Sequence, residues 1–264
     1  MDSAGFLSVC EMVAPMVEEA LAPLIGTEYG AEELCMGADN TPTERLDKIA
    51  EDIILAVFRS RKVCKSLLSE EAGMVRDIGG DSGIAYLDPV DGSFNAGVGI
   101  PFYALSIGLS DGEMMIAGYV RNLANGETFT AIRGKGAFLN GKPIRVSKKT
   151  EMNTAAMSIY ARVPDMISLL EGGLRARRGR KLGASAIELC YVACGRLEGF
   201  LDLRNTLRIT DAAAGMLICE EAGGIVTLPD GSPVFFPDDV CSGRPLLAAT
   251  PAIHKKVSDI TRLL

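Results

Sequence analysis

Leu87-Asp88-Pro89-Val90-Asp91-Gly92-Ser93-Phe94-Asn95 is the stretch on which the reading of this chain turns. The apolar run Gly83-Ile84-Ala85-Tyr86-Leu87 leads into it and predicts a short buried strand. Pro89 should end that strand, because it has no N–H to give the ladder. Asp88 and Asp91 would then leave one strand end together on a tight turn. Gly92 lets the backbone come close to a ligand, and the amides of Gly92 and Ser93 are free to face an anion. Carboxylates beside anion-binding amides are coherent if a hard divalent cation sits between them and a phosphate. Taken alone, the window reads first as a solvated turn, since Asp-Pro and Asp-Gly are common turn dipeptides.

Upstream, Val63–Ser69 predicts a strand ending in Glu70-Glu71-Ala72-Gly73. Earlier still, residues 3 to 24 carry Phe6, Val9, Cys10, Val13, Val17, Leu21 and Leu24 at helical spacing. A Gly-rich acidic stretch, 37–43, separates this helix from a second one bearing Leu46, Ile49, Ile53, Ile54, Val57 and Phe58. Asp47 and Glu51 are four apart on that second helix and, by themselves, read as a solvated face. Downstream, apolar stretches at 103–109, 114–120, 128–132 and 137–139 alternate with Asp111-Gly112, Asn125-Gly126, Gly134-Lys135-Gly136 and Asn140-Gly141. These are hairpin turns and predict an antiparallel sheet. Gly134-Lys135 is not a phosphate-binding P-loop, for no glycine stands five residues before Gly134 and no Ser or Thr follows Lys135.

The second half alternates. A strand near Ala155–Tyr160 precedes a helix opening at Pro164, and a basic run follows from Arg175 to Lys181. A helix over Ser185–Cys194 leads to a strand, Leu197–Leu203, with Asp202 near its end. A capped helix then carries Asp211 in its first turn, where the helix dipole favours a carboxylate, and stops at Gly223-Gly224. A strand, Pro245–Thr250, and a helix, Pro251–Leu264, close the chain. No Pro/Ser linker or internal repeat appears, so the expectation is one compact domain, 1–264, built of tightly joined halves, 1–150 and 151–264.

A chain of 264 residues can bury an ample core, and its 48% hydrophobic and 23% charged content is ordinary for a soluble protein. A net charge of −7 argues against nucleic acid as a partner. Seven cysteines without a C-x-x-C pair suggest neither a disulfide framework nor zinc, but small core residues in a reducing cytoplasm. The acidic N-terminus does not read as a signal peptide, and no apolar run is long enough to predict a membrane span. His254 is the single histidine, so histidine-based catalysis is not expected.

Glu70-Glu71, Asp88-x-x-Asp91-Gly-Ser and Asp211-Ala-Ala-Ala-Gly215, in that order, resemble the inositol monophosphatase superfamily of metal-dependent sugar phosphatases. The likeness extends over nearly the whole chain, including Arg133–Gly141 and Glu221-Ala-Gly-Gly224. Gly99-Ile100-Pro101-Phe102-Tyr103 and Asp202-Leu203-Arg204 make it most similar to the archaeal type, which acts on inositol monophosphate and fructose 1,6-bisphosphate. The resemblance implies an α+β fold layered α-β-α-β-α; the hairpin punctuation through Gly141 predicts an antiparallel first sheet, and the alternation after it a mixed second one. It implies two or three Mg²⁺ ions held by Glu70, Asp88, the Val90 carbonyl, Asp91 and Asp211. Asp47 and Ser93, assisted by Glu70, match the groups that orient and deprotonate the attacking water. Asp91 and the amides of Gly92 and Ser93 would meet the phosphate, and Asp202 the sugar hydroxyls. Arg175 and Arg180, in the basic run, are candidates for gripping a second phosphate. A cytoplasmic homodimer is the assembly expected.

Two positions depart from the pattern. Ser93 stands where threonine is usual, which keeps the hydroxyl, and Thr210 replaces a tryptophan common before the last aspartate in animal relatives. The second departure bears on strict inositol specificity and not on the fold. Alternatives are a 3′-phosphoadenosine-type nucleotide phosphatase with the same site, or a non-catalytic regulatory protein on the same scaffold. A haloacid-dehalogenase phosphatase would need Asp-x-Asp, which the Asp88 motif is not.

Overall fold

The structure is a computed structural model that describes residues 1–262. Helix α1 (Ser3–Leu21) starts where the Asp2 carboxylate accepts from the Gly5 amide at 2.8 Å. Its buried stripe is Phe6, Val9, Cys10, Val13, Val17 and Leu21, as the spacing predicts. Strands β1 (Glu33–Met36) and β2 (Pro42–Glu44) form a small antiparallel hairpin that the sequence did not announce. Helix α2 (Arg45–Arg61) follows, and here the solvated-face reading fails: Asp47 is 4% and Glu51 2% exposed. Their face meets the protein and not water, because Glu51 accepts from the Ser69 hydroxyl at 2.5 Å and the Ala72 amide at 3.0 Å.

The first sheet is built from β3 (Ser66–Ser69), β4 (Gly73–Arg76) and β5 (Ile84–Asp91), then, after the short helix α3 (Ser93–Val98), β6 (Ala104–Ser110), β7 (Met115–Asn122), β8 (Thr128–Ile132), β9 (Gly136–Leu139) and β10 (Lys142–Pro143). The order across it is β10-β9-β8-β7-β6-β5-β3-β4. Hairpins run from β6 to β10 as expected, and β5 is antiparallel to β6, but β3 and β5 pair in parallel, so the sheet is not wholly antiparallel. Pro89 does not end β5 either. The ladder to β6 passes from Asp88↔Ser106 to Asp91↔Ala104, leaving one extra residue on β5. A proline without an N–H is accommodated in a bulge, and the strand resumes beyond it.

The second sheet is mixed, as expected. Its elements are β11 (Ala156–Tyr160), α4 (Val163–Glu171), β12 (Arg178–Arg180), α5 (Ser185–Ala193), β13 (Gly199–Leu207), α6 (Ile209–Glu221), β14 (Ile225–Thr227), β15 (Arg244–Ala249) and α7 (Pro251–Thr261). Strands β12, β11 and β13 run parallel, while β15 is antiparallel to β13 and β14. Strand β13 outruns its predicted end, which puts Asp202 mid-strand. The final residues of the expected last helix, Leu263 and Leu264, lie outside the described residues.

Four apolar clusters define the layering. Helices α1 and α2 pack on the outer face of the first sheet through Phe6, Val13, Leu46 and Phe58 against Leu87, Leu105 and Tyr119. Between the sheets, Ile187, Cys190, Ala214 and Leu217 of α5 and α6 meet Val120, Phe129 and Ala131. On their other side, Leu189, Val192 and Ala212 meet Phe200 and Leu246. Leu169, Ile253 and Val257 of α4 and α7 cover Met157, Leu201 and Leu247. The architecture is therefore α+β in α-β-α-β-α order. Small residues let α6 sit close to the first sheet: a Cβ added at Gly118 would lie 2.9 Å from the Ala214 carbonyl oxygen. Among the described residues no helix is long and apolar enough to cross a membrane.

Candidate active site

Parallel pairing of β3 and β5 decides where the acids go. Ser69 pairs with Leu87, so Glu70 and Asp88 emerge side by side, and the Glu70 amide donates to the Leu87 carbonyl at 3.1 Å. Asp211 arrives from the first turn of α6, where its carboxylate accepts from the Arg208 amide at 2.9 Å. One carboxylate oxygen each from Glu70, Asp88 and Asp211 lies within 4.8 Å of the others. Three oxygen donors from separate parts of the fold, Asp88 and Asp211 buried and Glu70 partly so, are the donor set of a hard divalent cation.

Asp91 stands next to this triad and is held differently. Its two oxygens accept from the Ser185 and Ala186 amides at 3.0 and 2.7 Å, at the start of α5. Gly92 follows at φ 89°, and a Cβ there would meet the Gly183 carbonyl oxygen at 2.9 Å, so the turn closes only with glycine. Val90, Asp91, Gly92 and Ser93 all line a polar cavity of about 480 Å³ together with the triad.

The electrostatics are those of crowded acids. Burial pushes the Glu70 carboxyl up to about 8, with Asp211 and Glu71 adding to the shift and Arg208 opposing it. Burial and then the charges of Glu70, Asp91 and Asp211 hold Asp88 well above the carboxylate range. Burial and Asp211 do the same to Asp91, against the pull of the Ala186 and Ser185 amides. Asp47, buried on α2, is raised by its burial and by Glu71 and Glu70, so it is electrostatically part of the group although it does not line the cavity. Such a cluster calls for positive charge.

Some of that charge is supplied by Arg208, which the sequence reading did not nominate. Its guanidinium lies 2.5 Å from Glu70 and 3.2 Å from Asp211, and it also pairs with Asp39 in the β1–β2 loop. Burial alone would lower its pKa, but the charges of Asp211, Glu70 and Asp88 more than reverse this, so it stays protonated. Arg208 stands three residues before Asp211 at the start of a helix, a place where an arginine is an unusual cap, and that oddity was the available signal. Asp39 offered none, since its partner is 169 residues away.

Asp202 is fully buried and does not line the cavity; its carboxylate is forked by Arg204, at 2.6 Å to one oxygen and 3.1 Å to the other. Arg204 does line the cavity, and its guanidinium lies 4.2 Å over the Tyr160 ring. Arg175 and Arg180 are not brought to the cavity. Arg180 donates to the Gly179 carbonyl at 2.9 Å and borders a separate apolar cleft with Lys181, while Arg175 donates to the carbonyls of Leu170 and Leu174.

A layered α+β scaffold that gathers carboxylates from the end of β3, the bulge in β5 and a helix start into a polar cavity defines a metal-dependent phosphatase. Comparison with known proteins agrees: residues 8–262 match the inositol monophosphatase family, and the chain belongs to that family. It is 37% identical to the fructose-1,6-bisphosphatase/inositol-1-monophosphatase of Methanothermobacter thermautotrophicus, over 94% of each chain. It is 38% identical to the bifunctional NADP phosphatase/NAD kinase of Methanococcus maripaludis, over 94% of this chain and 48% of that protein. A crystal structure of an inositol monophosphatase–fructose 1,6-bisphosphatase superposes with a TM-score of 0.88 at 28% identity, covering 96% of this chain and 98% of the other.

Proposed function

We propose that this chain hydrolyses phosphate monoesters of small polyols, inositol monophosphate and fructose 1,6-bisphosphate, with Mg²⁺ as cofactor and water as nucleophile. The observation that carries the reading is the approach of Glu70, Asp88 and Asp211 within 4.8 Å, beside the Gly92–Ser93 turn. Those three carboxylates, with Asp91 and the Val90 carbonyl, would hold two or three Mg²⁺ ions. When bound, the metal neutralises phosphoryl charge and polarises the attacking and leaving oxygens.

The chain's own groups do the rest. The amides of Gly92 and Ser93 receive the phosphate oxygens, and the Ser93 hydroxyl orients the water. Glu70, with Asp47 beside it in the acidic cluster, is the carboxylate assigned to accept the water's proton once the metal holds the group ionised. Water oxygen forms the new P–O bond as the ester P–O bond opposite it breaks in line; the leaving alkoxide departs with the bonding pair and takes a proton from solvent water, and no phosphoenzyme forms. Arg204, fixed by Asp202, is the cavity-lining cation available to a sugar's second phosphate.

A second substrate reading is favoured by the Methanococcus relative, a bifunctional NADP phosphatase/NAD kinase: a phosphorylated nucleotide in the same cavity. Phosphate release from inositol 1-phosphate, fructose 1,6-bisphosphate, NADP⁺ and 3′-phosphoadenosine 5′-phosphate, each with Mg²⁺ and with EDTA, separates the two. Mg²⁺-dependent release from the polyol phosphates is expected. Release from nucleotides alone would replace the substrate class, and metal-independent release would sink the mechanism.

A further inference from the structure

Glu188 is a fully buried carboxylate in α5 that the chemistry above does not use. One of its oxygens accepts from three donors: the Tyr160 hydroxyl at 2.6 Å, the Leu182 amide at 2.9 Å and the Gly183 amide at 3.0 Å. The other accepts from the Ser158 hydroxyl. A buried carboxylate with this many donors is stable only if all of them stay in place, so it locks the backbone that supplies them. That backbone is the turn leading into α5.

The turn touches the cavity in two places. Immediately after it come the Ser185 and Ala186 amides, which grip both oxygens of Asp91. Within it, the Gly183 carbonyl oxygen lies where a Cβ on Gly92 would come to 2.9 Å, so the turn abuts the phosphate-facing backbone. Tyr160, the hydroxyl partner of Glu188, also accepts from the Gly183 amide at 2.8 Å. Its ring is the platform 4.2 Å beneath Arg204.

We infer that Glu188 is a positioning residue for both ends of the cavity. Through residues 182–186 it sets Asp91 and Gly92 on the metal and phosphate side, and through Tyr160 it sets Arg204 on the substrate side. This rests on the phosphatase reading of the cavity, so its test needs a readout that does not depend on turnover. No bond to substrate is assigned to Glu188. It acts through amides and a ring.

Glu188→Gln keeps the shape and removes the charge. Terbium binding, followed by sensitised luminescence, should weaken about tenfold, within the range typical when a group behind a metal ligand is altered. Hydrogen exchange at the Ser185 and Ala186 amides should quicken. In turnover, kcat/KM should fall about 10- to 100-fold, with KM raised as well as kcat lowered, because both ends of the cavity are loosened. Glu198→Gln is the matched control. Glu198 is equally buried and accepts from the Ala156 amide at 2.6 Å, but it does not line the cavity. It should lower thermal stability while leaving terbium affinity unchanged. If Glu188→Gln does not fold, Ser158→Ala and Tyr160→Phe each remove one donor and carry the same expectation at smaller size. Unchanged terbium affinity and exchange in the Glu188 variants would overturn the inference, as would equal losses in Glu198→Gln. Absent turnover in the unsubstituted protein, with terbium binding and its dependence on Glu188 intact, would instead refute the phosphatase reading alone.

Discussion

Arg208→Gln removes a guanidinium from a cluster in which it touches Asp39, Glu70 and Asp211. Taking one partner from a buried ion-paired group costs about 3–5 kcal/mol, because the remaining charges stay buried without compensation. The Arg208 side chain is 21% exposed, so the lower end, about 3 kcal/mol, applies to chelator-treated protein. For a chain of this size each kcal/mol moves Tm by about 2 °C, giving a fall of about 6 °C. A bound dication provides positive charge to the same carboxylates, so in saturating Mg²⁺ the deficit should shrink. Linkage makes the shrinkage equal to the gain in metal affinity, about tenfold for every 1.4 kcal/mol recovered. Scanning calorimetry with EDTA and with Mg²⁺ measures the two deficits, and titration calorimetry measures the affinity independently. An equal loss under both conditions, or weaker metal binding by the variant, would show that Arg208 organises the ligands and does not compete with a cation for them.

Asp88→Asn should lower turnover by about 10³-fold, since it weakens the ligand central to charge stabilisation at the phosphate; near-normal activity at saturating Mg²⁺ would exclude the triad as the catalytic centre. In chelator-treated protein, Glu70 binds its proton more tightly folded, at about 8, than at its ordinary 4.5. Its contribution to stability is therefore full below about pH 4.5 and is lost as pH rises through about 8, so Tm should fall across that window, and a flat or rising Tm there would contradict the shift. Arg204→Ala should reduce kcat/KM for fructose 1,6-bisphosphate about 10- to 100-fold more than for inositol monophosphate, while Arg175→Ala and Arg180→Ala leave that ratio alone; the reverse pattern would restore the basic run as the second phosphate site. Residues from both halves of the chain share the core between the sheets, so calorimetry should show one unfolding transition, and two resolved transitions would mean separable domains.

Much of this site was legible because its signals are local. An apolar run entering Asp88, hairpin dipeptides through Gly141 and an acid in the first turn of α6 each declare an element. What stayed hidden depends on pairing across the sheet or on partners far along the chain. Parallel alignment of β3 with β5 has no local mark, yet it is what sets Glu70 beside Asp88. Pro89 looked like a terminator because its missing N–H was weighed without a neighbouring strand that could absorb a bulge. Asp47 and Glu51 looked solvated because a helical face shows its own charges and not the strand end it will meet. Arg204 and Arg208 are visible as charges, but only the fold shows which carboxylates claim them.

The seat of α6 on the first sheet limits how such a protein can diversify. Backbone meets backbone there, with 2.9 Å between a methyl placed at Gly118 and the Ala214 carbonyl oxygen. A contact of that kind has no rotamer that can yield, so enlarging residue 118 shifts the whole helix and carries Asp211 away from its partners. Latitude lies instead at the rim, in the exposed Asn205, Thr206 and Cys241, which line the cavity but belong to neither α6 nor β5. New substrate preferences can be tried at those positions without disturbing the acids, so chemistry and choice of substrate are free to evolve at different rates.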